Sequence, residues 1–244
     1  MSTGPTSNAR FVILTAARSG STALTGTLKS HPDVYCFGTP FFHNNRGRVL
    51  PWQQDLPKWI IAKREPDPVG YAYAILDHTF GPSTVGFKLM TAAKSHTNAN
   101  AAIVALNEDT DIKKIMLVRE NHLACFSSDA RVRLIRQQGR GAAAPLLLDF
   151  DADRFTQFSK RRRRKFDRLR AQAKGDVLDL PYTGLMTTGL EAVRGFLNLA
   201  PFDFEPATTK RNSGDIIGRY KPEYHDQIRA TLDSIDHPEW VQED

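Results

Sequence analysis

Apolar residues in this chain come in short unbroken runs, separated by longer stretches where they recur every three or four positions. The first run, residues 11–14, ends at Thr15 in a turn of small residues, the pattern of a short strand buried on both faces. Leu24 and Leu28 then stand four apart, so residues 21–30 read as a helix. Pro32 stops it, because a proline drives the residue before it out of the helical region. The same reading predicts strands over 33–37, 84–90, 112–118 and 176–180. It predicts helices near 55–63, 71–80, 98–106, 120–138, 151–173, 187–199 and 222–233, the last with a proline in its first turn. Short apolar strands alternating with helices imply a three-layer α/β domain with a mostly parallel central sheet.

No internal repeat or linker interrupts this alternation, so a single domain is expected over residues 10–244, after a flexible polar tail over 1–9. Residues 38–70 are rich in Pro, Gly and Asn and read as a long loop broken by one helix, the kind of segment that often forms a lid. With 41% hydrophobic residues the chain can bury a sizeable core. Its longest apolar runs are far too short to span a bilayer, and its N-terminus lacks the apolar stretch of a signal peptide. The expectation is a soluble, cytoplasmic protein without stable membrane insertion. Cys36 and Cys125 form neither a CxxC pair nor a zinc spacing, so they read as reduced, partly buried thiols, and no metal is called for.

Charge adds a partner class. The formal net charge is +6, which favours an anionic ligand without choosing among nucleotide, nucleic acid, acidic lipid or glycan. The densest basic run, residues 160–165, lies where Phe155, Phe158, Phe166 and Leu169 recur at helical spacing. It reads as the solvated face of one amphipathic helix, and no nucleic-acid-binding fold signature accompanies it.

The most informative segment is the turn after the first strand, residues 15–22 (TAARSGST). A strand that runs through small residues into a helix presents unpaired N–H groups and the positive end of the helix dipole to an anion. Arg18 adds a planar cationic fork, Ser19 and Gly20 let a phosphate approach the backbone, and Ser21 and Thr22 add hydroxyl donors. The loop is not a Walker A motif, since Ser21 rather than Lys follows Gly20, and this disfavours a nucleoside triphosphatase. A second pair appears at the end of the 112–118 strand. Arg119 lies there, and Ser127 lies eight residues on, about two helical turns away and nearly on the same face. The two can grip one anion together. Taken alone, the pair reads as a surface arginine and a solvent-facing serine.

Taken in order, RSGST (18–22), LKSHPD (28–33), GFKLM (86–90), Arg119 with Asn121 and Ser127, LPYTGL (180–185) and GFLNL (195–199) resemble the sulfotransferase family. That family uses 3′-phosphoadenosine 5′-phosphosulfate (PAPS), and the resemblance is closest to its bacterial branch related to glycolipid and carbohydrate sulfotransferases. It implies the P-loop-like sulfotransferase fold and transfer of a sulfuryl group to a hydroxyl or amine of a small molecule or glycan, leaving adenosine 3′,5′-bisphosphate (PAP). It implies that Arg18, Ser19, Gly20, Ser21 and Thr22 hold the 5′-phosphosulfate and that Arg119 and Ser127 hold the 3′-phosphate. It also implies that Tyr182 contacts adenine and that Lys210 and Arg211 cover the 3′-phosphate from a late basic loop.

The family's usual base, a Glu shortly after Ser-His-Pro, is replaced here by Thr39, whose hydroxyl is no base at neutral pH. His43, four residues on in the same loop, is the first candidate for that role. Lys88 matches a lysine that stabilises the bridging oxygen in cytosolic relatives, and Met90 stands where those relatives have a catalytic His. His31 is expected to be structural, and His96, His122 and an Asp77–His78 pair are weaker candidates for the base. Other classes remain open: a nucleotide kinase-like phosphotransferase, or a non-catalytic nucleotide- or nucleic-acid-binding relative. Oligomeric state and acceptor are not legible.

Overall fold

A computed structural model describes residues 9–41, 56–78, 80–90, 97–138, 147–205 and 214–243. Its central layer comprises β1 (Ala9–Thr15), β2 (Val34–Phe37), β3 (Thr84–Met90), β4 (Ile112–Val118) and β5 (Val177–Pro181). These strands pair in the order β2-β3-β1-β4-β5, and every pairing is parallel. The expectation of a mostly parallel sheet is therefore exceeded. The apolar run of β1 has the physical cause assigned to it: Phe11, Val12, Ile13 and Leu14 are all fully buried at the centre of the sheet.

Helices cover both faces. They are α1 (Ser21–Leu28), α2 (Lys58–Lys63), α3 (Pro68–Leu76), α4 (Thr97–Glu108), α5 (His122–Gln138), α6 (Ala152–Gln172), α7 (Thr188–Phe196) and α8 (His225–Asp233). Successive side chains of β1 point to opposite faces and divide the core. Phe11 and Ile13 pack with Leu24 and Leu28 of α1 and with Leu190 and Val193 of α7. Val12 and Leu14 share a cluster with Tyr71 and Ile75 of α3, Leu106 of α4, and Phe166 and Leu169 of α6. A third cluster joins Leu123 of α5, Phe155 of α6, and Ile228 and Leu232 of α8 to Trp240. Gly86 has a packing reason. It pairs with Phe11, and a Cβ there would lie 2.4 Å from the Phe11 ring.

Several helix boundaries differ from the sequence expectation, and two of the differences have a local cause. The helix expected over 71–80 starts at Pro68 and ends at Leu76, because Asp67 caps it by accepting the Gly70 N–H at 2.8 Å. The helix expected over 222–233 is a 3₁₀ turn, Pro222–Tyr224, followed by α8. Two further 3₁₀ turns, Ile217–Arg219 and Pro238–Val241, were not expected. Among the described residues, no helix is long and apolar enough to cross a membrane.

The topology selects a place for a ligand. The chain leaves β1 towards β2 and leaves β4 towards β5, although β1 and β4 are neighbours. The helix after β1, α1, packs on one face of the sheet, and α6, the last helix between β4 and β5, packs on the other. Where connections diverge in this way, the carboxyl ends of the two strands open a crevice. Residues 16–20 and Arg119 lie at those two strand ends.

Candidate anion-binding site

The turn after β1 is held in an unusual shape. Arg18 has a φ of 66° and Gly20 a φ of 76°. A left-handed backbone at a residue other than glycine persists only where its surroundings enforce it. Here they do so through the carbonyl oxygens. The Arg18 carbonyl accepts from Arg119 Nη1 at 3.1 Å and from Cys125 Sγ at 3.6 Å. The Ala17 carbonyl accepts from Arg162 Nη1 at 3.0 Å, and Ser19 Oγ accepts from Arg162 Nη2 at 2.5 Å. Gly20 precedes α1 without contributing a side-chain cap, and its carbonyl accepts from the Ala23 and Leu24 N–H groups, which leaves those of Ser21 and Thr22 for an anion.

Gly20 is required for a second reason. A Cβ there would lie 2.7 Å from the Tyr182 ring, so the ring is seated directly against the loop. The other side of this arrangement is Arg119, whose guanidinium stacks 4.3 Å from the centre of the same ring. Tyr182 is held there by its N–H, which donates to the Val118 carbonyl at 2.8 Å and extends the β4–β5 ladder past Pro181.

Lys88 reaches the same crevice from β3. It is 7% exposed, and its Nζ donates to Thr22 Oγ1 at 3.3 Å. Burial lowers its pKa below the ordinary lysine value. The Arg18 side chain is exposed and donates from Nε to Ser128 Oγ at 2.8 Å.

Arg119 and Ser127, expected to share one anion, are each already engaged. Arg119 forms a two-pronged ion pair with Glu243, Nε to Oε1 at 2.8 Å and Nη2 to Oε2. Both side chains are more than nine-tenths buried. Burial alone would lower the Arg119 pKa, but the Glu243 carboxylate reverses this and holds it above the usual arginine value. Ser127 accepts from Arg219 Nη1 at 3.0 Å and donates to the Ala124 carbonyl at 3.0 Å.

Arg162 corrects the reading of the basic run as a wholly solvated face. The buried positions of α6 are Phe155, Ser159, Arg162, Phe166 and Leu169, spaced by four and three. Arg162 therefore belongs to the inward stripe, whereas Lys160, Arg161, Arg163 and Arg164 are exposed. Sequence composition hid it among other cations, although its spacing from Phe155 and Phe166 was a usable signal. Ser128, Arg219 and Glu243 also escaped the sequence reading. Of these, Arg219 and Glu243 sit in or beside 3₁₀ turns that no periodicity announces.

The histidine candidates separate clearly. His31 is buried, accepts the Asp33 N–H on Nδ1 at 3.1 Å, and donates from Nε2 to the Ala200 carbonyl at 3.2 Å, which makes it structural as expected. His122 is buried beside Trp240 with Nδ1 2.8 Å from Ser159 Oγ. Burial, with Arg162 and Arg163 nearby, pushes its pKa down to about 3. Asp77 pairs with Arg10 at 3.0 Å, and the His78 ring packs against Trp59 and Phe80, so these two do not form a base and its orienter. His43, His96, Lys210 and Arg211 lie outside the described residues. Cys36 and Cys125 are free and wholly buried rather than partly so, and burial raises both thiol pKa values. Among the described residues, no group of three or more His, Cys, Asp or Glu side chains could hold a metal ion.

No family model and no curated protein matches this sequence. Solved structures do match. A sulfotransferase from Alicyclobacillus acidocaldarius superposes with a TM-score of 0.51 at 15% identity, over 97% of this chain and 100% of that one. A sulfotransferase domain from the curacin biosynthetic pathway gives a TM-score of 0.47 at 17% identity, over 88% and 79% of the two chains. Sulfotransferase STF9 from Mycobacterium avium gives 0.47 at 12% identity, over 95% and 78%. The five-stranded parallel sheet with helices on both faces is the sulfotransferase fold.

Proposed function

We propose that this chain is a cytoplasmic sulfotransferase that moves a sulfuryl group from PAPS to a hydroxyl or amine of a small molecule or glycan. One observation carries the reading. Two anion-binding elements, the loop at Arg18–Gly20 and the Arg119 guanidinium, lie on neighbouring strand ends and are joined by the Arg119 bond to the Arg18 carbonyl. A donor with phosphate groups at two positions fits such a pair, whereas a single phosphate would use only one. The two-pronged carboxylate on Arg119 supports the fit, because a carboxylate and a phosphate present oxygens to a guanidinium in the same way.

In this reading the N–H groups at the start of α1, with Arg18, Ser21 and Thr22, hold the 5′-phosphosulfate. Arg119 holds the 3′-phosphate, with Ser127 and Arg219 beside it, and Tyr182 lies against the adenine. Transfer breaks the bond between sulfur and the bridging phosphate oxygen and forms one between sulfur and the acceptor atom. Charge develops on the bridging oxygen, and Lys88 stabilises it from beside Thr22. The acceptor loses a proton, and His43 is assigned to take it. The sulfotransferase fold and the +6 net charge support the same class of partner.

Calorimetry with PAP tests the donor assignment. Micromolar binding that Arg119→Ala abolishes is expected. Tighter binding of ATP than of PAP would instead indicate a phosphotransferase, and steeply salt-dependent binding of DNA would indicate a nucleic-acid-binding protein. Either result overturns the assignment.

A further inference from the structure

The Arg119–Glu243 pair has a consequence for ligand binding, and it rests on the donor reading above. Glu243 places both carboxylate oxygens on the guanidinium edge that an anionic ligand needs. The surroundings are strongly cationic. Arg18, Arg119 and Arg162 all bear on the Cys125 thiol buried between them, and Arg219 interacts electrostatically with both Arg119 and Glu243. Glu243 brings a carboxylate into this group through Arg119.

The segment bearing Glu243 is tied to the fold through its backbone on both sides of Trp240. Trp240 is buried, stacks on His237 at 3.9 Å between ring centres, and gives its carbonyl to Asn121 Nδ2 at 3.0 Å. Beyond it, Gln242 is exposed. Its carbonyl also accepts from Asn121, at 2.9 Å, and the Glu243 N–H donates to Gly214 at 2.9 Å. The chain after Trp240 thus carries a carboxylate into a phosphate-like position.

We propose that Glu243 is an intramolecular competitor for the second anion subsite: its carboxylate occupies Arg119 until a phosphate displaces it. A phosphate carries more charge than a carboxylate, so it wins the guanidinium when it arrives on a ligand already anchored at the Arg18 loop. Ligands with one phosphate do not have to displace Glu243, and ligands with two do. An occupant present about nine-tenths of the time lowers apparent affinity about tenfold.

The test compares PAP with adenosine 5′-phosphate on the full chain. Glu243→Gln is expected to bind PAP at least tenfold more tightly than the wild type, with adenosine 5′-phosphate changed less than twofold, although the melting temperature falls because Arg119 loses its buried counter-charge. Unchanged or weaker PAP binding by that variant overturns the proposal and makes Glu243 a support for Arg119. Hydrogen exchange on the wild type provides an independent readout. The Glu243 amide should lose protection when PAP is added, and increased protection overturns the proposal. If neither wild type nor variant binds PAP while both remain folded, the donor reading itself fails, and the proposal falls with it.

Discussion

Arg162 and Ser19 are 143 residues apart in the chain, yet the guanidinium of one lies 2.5 Å from the hydroxyl of the other. Arg162 also holds the Ala17 carbonyl, so one buried side chain from α6 fixes two points of the loop after β1. Burial lowers its pKa, so the protein spends stability to keep a charge there.

Removing that side chain leaves the Ala17 carbonyl and Ser19 hydroxyl without their guanidinium donor. Arg162→Ala should therefore lower stability by about 1–3 kcal/mol, measured by urea unfolding, and weaken PAP binding tenfold or more. Arg164→Ala, on the exposed face of the same helix, should stay within about 0.5 kcal/mol of the wild type. Equal effects in the two variants would mean that the basic run acts as a whole.

Gly20→Ala should damage the proposed donor site through shape alone. A left-handed conformation at alanine costs about 1–2 kcal/mol, and the new Cβ would also meet the Tyr182 ring at 2.7 Å. PAP affinity should fall at least tenfold. Adding Tyr182→Ala should relieve the collision but not the backbone strain, so only part of the loss should return.

Lys88 predicts a pH signature. Its pKa is lowered by burial, so it loses its charge at a lower pH than a free lysine. If its ammonium stabilises the bridging oxygen, turnover should fall on the alkaline side below the usual lysine value of about 10.4. Lys88→Arg should move that limb upward, and Lys88→Met should remove it while cutting turnover about a hundredfold or more. His43→Ala should lower turnover and leave PAP affinity unchanged, a split that calorimetry and initial rates resolve.

His122 should make the fold acid-sensitive. Its pKa is about 3 in the folded chain, against an ordinary histidine value of 6.5, so between those values the unfolded chain binds the extra proton. Stability contributed by the neutral ring is present above 6.5 and declines as the pH falls towards 3, with a slope of up to about 1.4 kcal/mol per pH unit. Urea melts at several pH values should show this slope reduced in His122→Gln.

The strands and the turn after β1 were legible because their causes are local. Thr84–Met90 and Ile112–Val118 read as strands because continuous apolar runs are what a doubly covered parallel sheet requires. The turn at Arg18–Gly20 read as an anion site because a strand, small residues and a helix start are adjacent in the chain. Arg119 at the end of β4 was legible as a candidate, but its partner was not, since Glu243 lies 124 residues away and no spacing links them. Arg162 fell between these cases: the helical stripe pointed inward, and its charge argued outward.

The β1–β4 ladder gives the two proposed anion sites a property that neither loop has by itself. Leu14 pairs with Met116 and Thr15 with Leu117, and the Thr15 hydroxyl adds a further bond to the Leu117 carbonyl at 3.1 Å. Neighbouring strands sit about 4.8 Å apart whatever their side chains, so the roots of the two sites work as the jaws of a caliper whose opening the sheet sets. The chain can change what each jaw grips by altering a few loop residues, while the gauge between them stays locked in the core.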